Sequence, residues 1–297
     1  MKRAVLLIIP ALLILAGCQT GPREGEKTMV YVTIQPQTWF VRNLMTEKMD
    51  VSVMIPPGLG HSNYDPTPKQ VRDLSHAAVY LSIGYLGFEQ AWLPRITKNN
   101  PKLPVVNLSA GIPAIVVEGG EHQHEEHEGH DDCHEGIDPH TWMSPRSARM
   151  LATNTAHALA AAQPDCKQLI MQNLEALLLR IDRLDSAYTS RLAGITERKF
   201  IIFHPALTYL ARDYDLVQYP MELGGKEPSA AHLKSLVDVA KQEGIKTIFV
   251  QKEFDQENAR TLAKELNAKI IQIDPLSSDW EKEMYHILDK LTGNPTL

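Results

Sequence analysis

The sequence has few cysteines, no excess of basic residues and no apolar run long enough to cross a membrane. Its three cysteines allow at most one disulfide bond. The 36 Asp and Glu residues outnumber the 30 Lys and Arg residues, and no basic patch is visible, which argues against a nucleic-acid partner. A membrane-spanning helix needs roughly 20 apolar residues, whereas the apolar run at the start covers only residues 4–16 and is interrupted by Pro10.

The first residues have the order of a secretory signal peptide. Lys2 and Arg3 precede the short apolar run and small residues close it, as in peptides that are removed after export. The sequence LAGC at 15–18 is similar to the lipoprotein box of bacteria, which implies a lipid on Cys18. We therefore expect a signal peptide at 1–17, a lipidated tether at 18–28, and an anchor on the periplasmic or extracellular face of a bacterial membrane. An ordinary signal peptide with an incidental cysteine is the alternative.

Strand and helix signals alternate along the rest of the chain, and they do so twice. Apolar or β-branched runs bounded by turn residues predict eight strands, at 29–34, 51–55, 77–83, 104–108, 200–203, 216–219, 247–250 and 269–273. Strands that alternate with helices are typical of parallel sheets. We predict an α/β protein of two lobes, 29–164 and 195–297, each with a four-stranded, mainly parallel sheet flanked by helices.

One long helix is predicted between the lobes, at 165–194. No Gly or Pro interrupts this segment between Cys166 and Ala193, and at 1.5 Å per residue it would span roughly 40 Å. A single rigid helix of this length would restrict hinge motion between the lobes. Its apolar residues recur at gaps of three or four and form one continuous helical stripe, made of Ile170, Leu174, Leu177, Ile181, Leu184, Tyr188 and Leu192.

A histidine-rich stretch lies in the predicted loop 119–136 of the first lobe. Fourteen residues, EHQHEEHEGHDDCH at 121–134, contain five histidines, six carboxylates and Cys133. Such a polar stretch cannot bury a core, and imidazole is the commonest metal ligand in proteins. We expect it to collect metal weakly rather than to hold it, through His122, His124, His127, His130 and His134. A solvated insertion without a partner is the alternative, and whether Cys133 pairs with Cys166 or joins a metal stays open.

Four metal-ligating side chains follow strand signals or occupy turn-rich loops, and they come from both lobes. They are His61 after PPGLG, His140 in DPHTW, His204 after FIIF and Asp274 after IIQI. Open α/β sheets bind ligands at the carboxyl ends of their strands, so these groups could meet between the lobes. Taken singly, a histidine at a strand end is more often structural, and an aspartate before proline often starts a turn.

Six motifs occur in an order that resembles a known family. They are PPGLGHSNYDPTP (56–68), GYLGFEQAW (84–92), DPHTWMSP (138–145), HPALTYLARDYDL (204–216), GKEPS (225–229) and IDP (273–275). Together with the long middle helix and the histidine-rich loop before DPH, they are similar to the metal-binding subfamily of ABC-transporter solute-binding proteins, the zinc and manganese group. The resemblance covers essentially the whole chain after the signal peptide.

The resemblance implies a ligand set and a role. The family's ligand positions correspond here to His61, His140, His204 and Asp274. The third position is glutamate in relatives that resemble manganese binders and histidine in zinc binders, and His204 occupies it here. Three imidazoles and one carboxylate suit four-coordinate Zn²⁺. The resemblance thus implies a monomeric, extracytoplasmic solute-binding protein that captures Zn²⁺ between its lobes and delivers it to the permease of an ABC importer.

Three alternatives remain at this point. The same fold could carry Mn²⁺ or Fe²⁺, although Mn²⁺ favours more oxygen ligands. A zinc hydrolase would keep an open metal position next to a Glu or His, and no HExxH or comparable pair occurs in the chain. Surface adhesion, a role ascribed to some relatives, leaves no mark in the sequence.

Overall fold

The computed structural model describes residues 27–61, 64–117, 136–254 and 256–293. The predicted signal peptide with Cys18, and the histidine-rich stretch with Cys133, lie outside the described residues. Within them, no helix is long and apolar enough to cross a membrane. Cys166 is buried with a free thiol, and its Sγ lies 3.6 Å from the hydroxyl of Thr46.

The first lobe is built on one parallel sheet. Its strands have the spatial order β2-β1-β3-β4, and every neighbouring pair is parallel. The strands are β1 (Thr28–Val32), β2 (Met49–Val53), β3 (Val79–Ser82) and β4 (Val105–Asn107). The helices between them are α1 (Gln35–Leu44), α2 (Pro68–Asp73) and α3 (Gly87–Asn99). Strand β3 is buried along its whole length, as expected where helices cover both faces of a parallel sheet.

The second lobe repeats this arrangement, with the strand order β6-β5-β7-β8 and parallel pairing throughout. The prediction of two four-stranded sheets flanked by helices is therefore confirmed. The strands are β5 (Lys199–Ile202), β6 (Val217–Pro220), β7 (Thr247–Gln251) and β8 (Lys269–Ile273). The helices that connect these strands are α6 (Thr208–Tyr214), α7 (Ala230–Glu243) and α8 (Glu257–Leu266). They have 7, 14 and 10 residues, respectively.

Two long helices lie between the sheets in the sequence. Helix α4 (Pro145–Ala162) runs into a short 3-10 turn, and α5 (Lys167–Leu192) follows with 26 residues. The buried residues of α5 are the seven that the apolar stripe predicts, and the solvent face between them includes Leu179, which is 64% exposed. At 1.5 Å per residue, α5 is about 39 Å long.

The last helix returns to the first lobe. Helix α9 (Trp280–Thr292) contacts both α1 and α5, and the Trp280 ring lies 4.9 Å from Trp39 and 5.3 Å from Phe40 between centroids. The Trp280 indole N–H donates to the carbonyl of Trp142 (2.7 Å), and the Trp142 N–H donates to the carbonyl of Pro275 (2.8 Å). The lobes are therefore joined by a packed interface as well as by α5, and this interface fixes the loop that follows β8.

Candidate metal centre

Three histidines from separate loops reach one point between the lobes. His61 lies in the loop after β2, His204 directly follows β5, and His140 precedes a 3-10 turn at Thr141–Met143. Parallel strands bring their carboxyl ends to one edge of each sheet, so these loops face each other where the two edges meet. His140 is only 3% exposed, whereas His61 and His204 are half-buried.

The imidazole nitrogens are spaced as a metal requires. The Nε2 atom of His140 lies 3.2 Å from Nε2 of His61 and 3.2 Å from Nε2 of His204. One ligand atom from each ring lies within 4.8 Å of the other two. Nitrogens bound tetrahedrally to Zn²⁺ at 2.0–2.1 Å are about 3.3 Å apart, which agrees with the observed spacing.

Two carboxylates contact the Nδ1 atoms of His140 and His204, on the side of each ring opposite to Nε2. Nδ1 of His140 lies 2.9 Å from Oδ1 of Asp138, and Nδ1 of His204 lies 2.9 Å from Oε2 of Glu222. A carboxylate at Nδ1 accepts a hydrogen bond from the Nδ1–H group and leaves the Nε2 lone pair free for a metal. Sequence reasoning did not assign these roles to Asp138 or Glu222. The aspartate of the DPH motif, two residues before the histidine, was the available signal.

The surroundings of His61 and His140 favour the neutral form of both imidazoles. Burial lowers the pKa of His61 well below its usual value, with further contributions from His140 and His204. Burial also lowers the pKa of His140, although Asp138 opposes this effect. For Asp138 itself burial disfavours ionisation, yet its contacts with His140 bring the net pKa below the usual range. Neutral imidazoles backed by an ionised carboxylate form the protonation state that binds metal.

Asp274, the fourth predicted ligand, is placed differently. It follows β8, and its Oδ2 atom accepts a hydrogen bond from the ammonium group of Lys252. Its Oδ1 atom is buried and has no hydrogen-bond partner among the described residues. The structure thus brings together three of the four predicted ligands, and in the described part of the chain Asp274 does not join their group. His232 and His286, which lie outside this group, contact backbone carbonyl oxygens instead.

The segment after β7 also borders the site, and sequence reasoning missed it. Glu253 and Phe254 line the same cavity as His61, His204 and Glu222. The Phe254 ring stacks on His204, with centroids 5.7 Å apart. Burial raises the pKa of Glu253, Asp274 raises it further, and His204 and Lys252 oppose the shift. The sequence QKEFD at 251–255 contains no recognisable metal motif, so its position at a strand end was the one available signal.

Replacing Asp138 by asparagine should weaken zinc binding by roughly 10- to 100-fold, the usual cost of losing a partner behind a metal-bound histidine. The amide oxygen can still accept a hydrogen bond from Nδ1–H, but it lacks the negative charge with which the carboxylate stabilises the metal-bound imidazole. Competition with a chromophoric chelator would measure this, with Asp165→Asn as the control, since Asp165 is exposed and far along the chain from the site. Equal affinities for the two variants would show that Asp138 does not support His140.

Comparisons with known proteins agree with this geometry. Residues 30–293 match the family described as zinc-uptake complex component A, periplasmic (ZnuA). The chain is 28% identical over 274 residues to the high-affinity zinc uptake system protein ZnuA of Bacillus subtilis (strain 168), covering 89% of this chain and 85% of that protein. A crystal structure of ZnuA matches with a TM-score of 0.81 and 32% identity, covering 91% of this chain and all of that chain.

A further relative is longer than this chain. The zinc-binding lipoprotein AdcA of Streptococcus pneumoniae serotype 4 is 28% identical over 289 residues, which are 95% of this chain. The chain spans about half the length of AdcA, since the match covers 56% of that protein. Because the family match runs from β1 to the end of α9, the chain belongs to the family of zinc-uptake complex component A.

Proposed function

We propose that this protein captures Zn²⁺ outside the cytoplasmic membrane and delivers it to the permease of an ABC importer. The observation that carries the proposal is the convergence of three imidazole nitrogens, drawn from both lobes, at distances that one Zn²⁺ ion can bridge. The names of the relatives support the choice of metal, because ZnuA and AdcA are named for zinc uptake and zinc binding.

The ligand chemistry favours a carrier over an enzyme. His61, His140 and His204 would fill three positions of a tetrahedral ion, and a carboxylate would fill the fourth. The sequence predicts Asp274 for that carboxylate, and its buried Oδ1 atom is consistent with the role. A filled coordination shell leaves no position for an activated water, which a catalytic zinc site needs.

Capture and release would involve loops rather than whole lobes. Zinc would join His61 and His140 of the first lobe to His204 of the second. The lobes already share the buried contacts of Trp142 with Pro275 and Trp280, so wide hinge opening would break a packed interface. We therefore propose that the bound ion orders the loops at the site, and that the permease recognises this ordered surface on a protein that acts as a monomer.

The remaining parts of the chain would serve the same purpose. A lipid on Cys18 would hold the protein at the membrane that contains the permease. The five histidines of 121–134 would raise the local zinc concentration without competing with the main site, because ordering such a segment costs about 1–2 kcal/mol per residue. Both roles are proposals that the sequence supports.

The choice of zinc is tested by metal competition on metal-free protein. We expect one Zn²⁺ per chain at the main site, bound more tightly than Mn²⁺, because imidazole ligands suit zinc and oxygen ligands suit manganese. His204→Glu should reduce the difference between the Zn²⁺ and Mn²⁺ affinities, since it replaces a nitrogen donor by an oxygen donor. Tighter binding of Mn²⁺ than of Zn²⁺ by the unmodified protein would contradict the proposal.

The pH dependence follows from the lowered pKa values of His61 and His140. Protons compete with zinc only when the pH falls to the pKa of the metal-free imidazole. An ordinary histidine has a pKa near 6.5, so competition at these two residues should begin below that value. Zinc titrations from pH 7.5 downward should show little loss of affinity above about pH 6.5 and a fall below it. A steep loss already above that pH would contradict the assignment.

A further inference from the structure

The first turn of α6, in the second lobe, contacts the residue that supports His140 in the first lobe. The hydroxyl of Tyr209 donates a hydrogen bond to the backbone carbonyl of Asp138 at 3.0 Å, and it accepts one from the backbone N–H of Ile115 at 3.4 Å. Tyr209 is fully buried. Both contacts therefore lie inside the interface between the lobes.

The Tyr209 side chain is held on its ring face as well. The guanidinium carbon of Arg212 lies 4.9 Å from the centre of the ring, and Nη1 of Arg212 donates to the carbonyl of Pro113 in the first lobe at 2.8 Å. Burial raises the pKa of Tyr209 to about 12, although the N–H of Ile115 opposes the shift. The hydroxyl thus keeps its proton at neutral pH and can donate it to Asp138.

The backbone that Tyr209 contacts leads directly to His140. Asp138 ends a short antiparallel bridge, in which its N–H donates to the carbonyl of Ile115 at 2.8 Å. Its Oδ1 atom accepts from the backbone N–H of His140 at 2.8 Å and lies 2.9 Å from Nδ1 of the same residue. A partner at Nδ1 sets the orientation of a metal-binding imidazole, so whatever fixes Asp138 also fixes His140.

The neighbouring Thr208 contacts the Asp138 carboxylate itself. Burial disfavours ionisation of Asp138, but its contacts with His140 and a hydrogen bond with the Thr208 side chain bring its pKa below the usual range. The Thr208 hydroxyl accepts from the side-chain amide of Gln218 at 2.6 Å. Its single proton is shared between the carboxylate and the Pro205 carbonyl, 3.1 Å away. Two side chains of the second lobe therefore hold Asp138, one at its backbone and one at its carboxylate.

We propose that Thr208 and Tyr209 are positioning residues of the zinc site. From the second lobe they hold Asp138, and through Asp138 they hold the His140 imidazole in the orientation that binds metal. The inference rests on the proposed function, because it concerns the same ion. The affinity of the site then depends on a contact between the lobes that lies outside the ligand set. A displacement of α6 from the DPH motif would withdraw the support of His140 and favour release of zinc.

The first test is Tyr209→Phe, which removes the hydroxyl and keeps the ring. Zinc affinity, measured on metal-free protein by competition with a chromophoric chelator, should fall roughly two- to tenfold, the equivalent of one hydrogen bond. The matched control is Tyr188→Phe. Tyr188 is also fully buried, and its hydroxyl donates to the Met284 carbonyl at 2.6 Å, where it joins α5 to α9. This variant should lower the thermal unfolding midpoint and leave the zinc affinity at the wild-type value.

A second variant keeps the test decisive if Tyr209→Phe does not fold. Thr208→Val removes the other hydroxyl at nearly constant shape and should weaken zinc binding by a similar factor. Thermal unfolding of each metal-free variant shows whether the fold is kept. Wild-type zinc affinity in either folded variant would overturn the role of the residue that it replaces.

A double-mutant cycle tests whether Tyr209 acts through Asp138. Asp138→Ala removes the carboxylate that supports His140, so that fixing this residue no longer helps the imidazole. The affinity lost on Tyr209→Phe should therefore be smaller in the Asp138→Ala protein than in the wild-type protein. Equal losses in the two backgrounds would overturn the positioning role, which a contribution to stability alone would not reveal.

Two outcomes separate this inference from the proposed function. A loss of affinity in Tyr188→Phe as large as that in Tyr209→Phe would overturn the inference, because lower stability would then explain both. The proposed function fails separately, if both His140→Ala and His204→Ala bind zinc like the wild type. Loss of zinc in those two variants, with wild-type binding by Tyr209→Phe and Thr208→Val, refutes this inference alone.

Discussion

Replacing His140 by alanine should remove high-affinity zinc binding, with an affinity loss of more than about 100-fold, beyond what loss of an outer partner costs. In the proposed site His140 is central, since its Nε2 atom lies 3.2 Å from the corresponding atoms of both His61 and His204. It is also the most deeply buried of the three. Without it, two of the three imidazoles remain at the site.

The matched control is His157→Ala. His157 lies on the exposed side of α4, so its loss removes one imidazole without touching the site. Chelator competition on the metal-free variants should give wild-type zinc affinity for His157→Ala and a large loss of affinity for His140→Ala. Because His140→Ala leaves the buried Asp138 carboxylate without its imidazole partner, part of its effect could come from lost stability. His204→Ala should also lose zinc; it likewise leaves the buried Glu222 carboxylate without its imidazole partner, so the unfolding midpoints of both metal-free variants are measured beside their zinc affinities. Wild-type zinc affinity in both His140→Ala and His204→Ala would contradict the proposed location of the zinc site.

The second large effect concerns stability. Trp280→Ala should lower the free energy of unfolding by about 3–5 kcal/mol, as large-to-small changes of buried aromatic residues do. Trp280 is 1% exposed, packs on the rings of Trp39 and Phe40, and donates its N–H to the Trp142 carbonyl. The change would leave a cavity at the contact between α9 and the first lobe and would leave a buried carbonyl without its donor.

Urea unfolding of the metal-free protein measures this change. The control is Leu179→Ala, which removes an apolar side chain from the exposed face of α5 and should alter the free energy of unfolding by less than about 0.5 kcal/mol. Trp280→Phe separates the two contributions, since it keeps most of the ring packing but loses the hydrogen bond. If Trp280→Ala changed the free energy of unfolding as little as Leu179→Ala does, the contact of α9 with the first lobe would not stabilise the protein in the way described.

Periodic patterns predicted the fold well because burial leaves a direct mark in the sequence. The stripe from Ile170 to Leu192 gave α5 to within two residues at each end. The amphipathic pattern of α9 could not show that the helix packs on α1 and α5 as well as on β8 of its own lobe, since a helix buries its apolar face equally well against any of them. That choice depends on particular contacts, such as the one between Trp280 and Trp39.

The convergence of His61 and His204 was predictable, because each of these histidines follows the end of a strand. The contacts of Glu222 and Asp274 were not predictable, because they join residues far apart in the chain. Asp274 meets Lys252, which is 22 residues away, and His204 meets Glu222, which is 18 residues away. Side-chain pairs at such separations leave no periodic signal in the sequence. Resemblance to a family can point to Asp274, but it does not show which side chains contact it.

The most direct test of the account is anomalous diffraction at the zinc absorption edge, from crystals grown with one equivalent of Zn²⁺. The account predicts one strong peak, about 2.0–2.1 Å from the Nε2 atoms of His61, His140 and His204. A peak elsewhere, or a peak that touches histidines of only one lobe, would contradict the claim that zinc joins the two halves of this protein.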